Sequence, residues 1–163
     1  DPWDQLDDSH LISILRRISF ETFEDAESIA DQWVEQVRNK AETFIGKIKK
    51  MILEARHVPD LAGIGNLLLT HDGDIKLVDI NNISETSIDS NIHLDDRNYP
   101  VCDKSIESLS LLEQGLLQRP LQQDDIIYQT YLEPSRMEEV KALEKEFLRA
   151  MEQETADDDI SPS

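Results

Sequence analysis

The chain has 163 residues and carries 35 Asp and Glu against 16 Lys and Arg, a formal net charge of −19. That length suits one domain with a real hydrophobic core. The charge argues against general nucleic-acid binding, because a phosphate backbone would be repelled. No run of about 18 apolar residues occurs, so no membrane span is expected, and no basic-then-apolar leader is present. The single cysteine, Cys102, excludes an internal disulfide and fits a reducing, cytoplasmic compartment. It is expected to be a small buried or half-buried side chain.

In chain order, residues 1–8 read as an irregular lead-in. From Ser9, the spacing of Leu11, Ile14, Leu15 and Ile18 predicts a short amphipathic helix. A long helix is expected next, capped by Thr22 and running to about Arg56. Its apolar stripe is Ile29, Trp33, Val37, Phe44, Ile45, Ile48, Met51, Ile52 and Ala55, with a possible break at Gly46 and a stop at Pro59. The same region, residues 38–56, has a local excess of basic side chains, read either as a solvated face or as a phosphate- or acid-binding one.

"NLLLT" and "DIKLVDI" are then strand-length apolar runs joined by "HDGD". Asp72-Gly73 signals a hairpin, since both central positions tolerate positive φ, and Val78 suggests cover on both faces. Residues 81–100 are polar, turn-rich and aperiodic. Asp103 is expected to cap a helix that turns Ile106, Leu109, Leu112 and Leu116 inward, stopped by Pro120. A short helix follows, stopped by Pro134, and Ser135 with Glu138 forms a capping box for the last helix. That helix carries Met137, Val140, Leu143, Phe147 and Met151 on one side. The folded region is read as residues 9–152, with 153–163 an acidic disordered tail. The class is mainly α (α+β), helical with one small β-hairpin.

Most catalytic signatures are missing. His10, His57, His71 and His93 are scattered and no cysteine pair exists, which excludes the usual zinc spacings. "DGD" fails the calcium-loop pattern because acidic residues do not recur at the alternate positions. There is no nucleophile elbow, no P-loop and no dinucleotide fingerprint.

One stretch remains, "HVPDLAGIGNLLLTHDGDIKLVDINN", residues 57–82. It resembles the segment of the protein-kinase-like superfamily (protein kinases and small-molecule phosphotransferases) that joins the catalytic loop to the metal-binding aspartate. On that resemblance Asn66 is the catalytic-loop metal ligand and Asp79 the aspartate of D-F-G, both meeting a Mg²⁺ that arrives with ATP. Asp60 corresponds to the catalytic base after a one-residue insertion, or is a loop aspartate. It stands six residues before Asn66, where the family has five. His57 would match the loop histidine under the same shift, or be structural. "DIN" replaces D-F-G, and Asp103 with Glu113 resembles the spacing of the family's central-helix motif without its Trp and Gly.

The resemblance implies a helical kinase-like C-terminal lobe over 9–152 with an appended helix, the N-terminal lobe being absent from this stretch. No glycine-rich loop or lysine strand precedes the long helix, and the Asp1 start favours a fragment. The expected function is ATP- and Mg²⁺-dependent phosphoryl transfer in a longer parent, with this stretch inactive alone. The alternative is a non-catalytic, pseudokinase-like helical module that binds a protein partner. Oligomeric state and acceptor substrate are left open.

Overall fold

The computed structural model describes residues 27–63, 66–78 and 82–158. The predicted helix of residues 9–18, the lead-in, the Thr22 cap, and Asp79 to Asn81 lie outside them. Helix α1 spans Glu27–Lys50 and continues through Gly46 without a break. Its stripe of Trp33, Val34, Val37, Ala41, Ile45 and Ile48 recurs at three- and four-residue steps and is buried. The last turn widens into a π turn, Met51–Ala55, which is closed by Arg56 in the left-handed conformation (φ 57°). The helix therefore ends before Pro59, which lies in a strand. Ala55, expected in the stripe, is exposed because the wider turn rotates it off the core face.

Two small antiparallel sheets follow, one nested inside the other. Strands β1 (His57–Pro59) and β4 (Ile83–Glu85) pair on the outside, with Val58 opposite Ser84. Strands β2 (Leu67–Leu69) and β3 (Ile75–Leu77) form the hairpin within, with Leu68 opposite Lys76. The expected hairpin is thus joined by a second ladder, one strand of which, β4, lies in the stretch 81–100 read as polar, turn-rich and aperiodic. The hairpin loop has three residues: Thr70 O accepts from Gly73 N, and Thr70 N donates to Asp74 O. Only Gly73 takes positive φ there (80°), so the loop closes on one left-handed glycine rather than on an Asp-Gly pair.

Helix α2 (Val101–Leu117) is the centre of the molecule, and most of its side chains are buried. Ile106, Leu109, Leu112 and Leu116 face inward as predicted, against α1 and against α3 (Ile126–Tyr131). The helix starts after Pro100, so Asp103 lies inside its first turn and is no cap. Asp125 caps α3 through Ile127 N. Helix α4 (Pro134–Asp158) opens on Pro134, which fits the first helical turn because its missing N–H has no partner there anyway. Its cap is Glu133, which accepts from the N–H groups of Ser135 and Arg136, in place of the Ser135–Glu138 box. The helix continues to Asp158, past the boundary at residue 152. The chain is mainly helical with two small sheets.

Candidate functional site

Three groups named from the sequence are Asp60, Asn66 and Asp79. Asp60 directly follows β1, and its N–H donates to Asn82 O at 2.8 Å, extending the outer ladder by one pair. Its Oδ1 accepts from Ala62 N at 3.0 Å and Gly63 N at 3.2 Å, which folds the following loop back on itself. Leu61 next to it is buried, and its N–H donates to Ser105 Oγ on α2 at 3.2 Å. The central helix thereby fixes the start of the loop.

Asn66 closes the same loop. Its Nδ2 donates to Asp60 O at 3.1 Å, its N–H to Gly63 O at 3.3 Å, and its own carbonyl accepts from Val78 N at 2.9 Å. The side chain lies directly over Gly63. A β-carbon there would crowd the Asn66 amide, so a larger residue at position 63 would push that side chain aside. Asp60 and Asn66 are both half-buried, and the bond from Asn66 Nδ2 to Asp60 O holds them together. Asp79, one residue beyond Val78, lies outside the described residues. His57 is exposed, and its Nδ1 pairs with Ala55 O, away from the loop, a structural role.

The hairpin carries a feature that sequence reading missed. Leu67, Leu69, Ile75 and Leu77 pack on the core. The opposite face holds Asn66, Leu68, Lys76 and Val78, with Leu68 53% and Val78 60% exposed. Val78 therefore lacks the cover expected of it. The three-leucine run gave no alternation from which the exposed member could be recognised.

Three basic residues of the run 38–56 bind the molecule together, while Lys47, Lys50 and Arg56 are exposed. Arg38 donates to Leu116 O and Gln118 Oε1, Lys40 to Asp72 O, and Lys49 to Glu113 and Asp125 at 2.7 Å each. Trp33 Nε1 adds a bond to His71 O at 2.7 Å, so α1 holds both the hairpin loop and the central helix.

Among the described residues no three His, Cys, Asp or Glu side chains converge as a metal site. No helix among them is long and apolar enough to cross a membrane. No protein-family model, curated protein or solved structure matches the chain. The class it belongs to is set by its own architecture: a mainly helical α+β domain whose nested ribbons present an Asp–Asn loop beside an exposed apolar strand face.

Proposed function

We propose that the chain is the C-terminal-lobe part of a kinase-like phosphotransferase that binds Mg²⁺ and ATP at the Asn66 end of the hairpin. The observation that carries this reading is the placement of Asn66. Its amide nitrogen is tied to Asp60 O, which leaves its carbonyl oxygen as the hard ligand a magnesium ion prefers. On the same strand face, Leu68 and Val78 offer an uncovered apolar surface suited to a planar base.

The chain's own residues then divide the work. Asn66 and Asp79 would hold Mg²⁺, which when bound neutralises charge on the transferring phosphate. Asp60 would orient an acceptor hydroxyl through Oδ2, since Oδ1 is taken by the amides of Ala62 and Gly63. Phosphoryl transfer is mostly positioning, and the bond from Leu61 N to the central helix supplies a rigid base for it.

A second reading is a non-catalytic module that docks a protein partner. It is favoured by the use of Asp60 Oδ1 in closing its own loop. The two separate in a thermal titration with Mg²⁺ and ATP, because a ligand that binds only the folded state raises its Tm. The nucleotide reading expects a rise in wild type that Asn66→Ala and Asp79→Ala each abolish. A rise that survives both substitutions removes the metal assignment, and no rise in wild type favours the module.

A further inference from the structure

Helix α4 changes character along its length. Its first part is held down: Arg136 reaches Asp103, Val140 is buried, Lys104 pairs with Glu144 at 2.9 Å, and the Phe147 ring meets Tyr99 at 4.9 Å. From Leu148 to Asp157 every residue is exposed, yet the helix persists. Leu148 and Met151, one turn apart, are 50% and 49% exposed. Beside Met151 is a cleft of about 360 Å³ between α4 and the turn at residues 96–98, lined by Phe147 and Ala150 and by the charged Asp96, Arg97 and Glu154.

We propose that this surface docks a cationic amphipathic helix of a partner protein. Charge selects the occupant. Glu152, Glu154 and Asp157 with Asp96 across the cleft outnumber Arg149 and Arg97, and no basic residue occupies the last turn. Carboxylates at a helix C-terminus oppose the helix dipole, so the end is electrostatically unfavourable until a cation approaches. A basic segment meets both the side chains and the dipole, while its apolar residues cover Leu148 and Met151. A second copy is disfavoured, since it would place two acidic helices side by side in a molecule of net charge −19. The same charge repels nucleic acid and anionic lipid. The proposal does not rest on the nucleotide reading at the hairpin.

The test uses the whole chain, isotope-labelled, titrated with a synthetic Leu/Lys amphipathic helical peptide and with a scrambled peptide of the same composition. Amide shifts are expected at residues 95–98 and 144–158, with affinity falling as salt rises. Combining Leu148→Asp with Met151→Asp, both at exposed positions, is expected to weaken binding by about tenfold or more, and the scrambled peptide should bind as weakly. Absent binding, shifts elsewhere, equal affinity of the double variant, or self-association through this helix would each overturn it.

Discussion

Glu113 is 2% exposed and gathers three donors: Lys49 at 2.7 Å, Tyr128 Oη at 2.6 Å and Arg119 at 3.2 Å. Burial alone would raise its carboxyl pKa, but these bonds outweigh it and hold the group below the ordinary value of 4.5. A carboxyl depressed in the folded state contributes stability that is complete above its unfolded pKa and is lost as pH falls through the folded one. Urea unfolding should therefore show declining stability below the ordinary value of 4.5, and Glu113→Gln should flatten that limb. At neutral pH Glu113→Ala is expected to cost about 2–3 kcal/mol, since it takes the acceptor from the buried Tyr128 hydroxyl and leaves Lys49 with Asp125 alone.

The pair Asp103–Arg136 behaves differently. Arg136 donates to both carboxylate oxygens, at 2.6 and 3.1 Å, and to the carbonyls of Asp89 and Asn91. Burial pushes the Asp103 carboxyl upward, with the Arg136 bond opposing it, so desolvation consumes much of what the pairing gains. Removing one partner is the damaging change. Arg136→Ala is expected to cost about 3–5 kcal/mol, whereas Asp103→Leu combined with Arg136→Met should cost less, because no buried carboxylate is left unpaired and only the carbonyls of Asp89 and Asn91 lose their donor. A double-mutant cycle by denaturant unfolding measures this; near-equal costs for the single and double variants would contradict it.

Among the elements, the hairpin depends most on one backbone conformation. Gly73 takes φ 80° and packs against Val37, where an added β-carbon would sit 3.3 Å from Val37 Cγ2 and its N. Gly73→Ala is expected to cost about 1–2 kcal/mol through the left-handed conformation alone. Unfolding midpoints of the two proteins measure it, and an unchanged midpoint would show that the turn relaxes. Hairpin, long helix and inward stripe of the central helix were all legible, because Asp72-Gly73 and the helical spacings are local signals. The outer ladder was not: "HVP" and "ISE" are too short to show alternation, and 23 residues separate Pro59 from Ile83 in the chain. Nor were the helix starts, where Pro100 and Glu133 take the places expected of Asp103 and Ser135.

At the scale of the whole molecule, nesting one ribbon inside another brings Asp60 and Asn66 together. The outer ladder pins Asp60 to Asn82, the inner one pins Asn66 to Val78, and the central helix holds Leu61. Asp60 and Asn66 were candidates only through the resemblance of residues 57–82 to the kinase-like segment. The sequence could not reveal that the Asn66 amide lies against Gly63, or that Leu68 and Val78 face solvent, because both depend on how the chain packs around the ladders. The acidic excess is likewise uneven in effect. Around Glu113 it is neutralised by Lys49 and Arg119, while the last turn of α4 carries no basic residue.

The central claim is that the Asn66 end of the inner ribbon binds magnesium and nucleotide. It is tested most directly by calorimetric titration of ATP into the chain with and without Mg²⁺. The account predicts saturable, magnesium-dependent heat in wild type that disappears in Asn66→Ala while the fold is kept. Heat that is absent from wild type, or identical in its presence and absence of the metal, would contradict it.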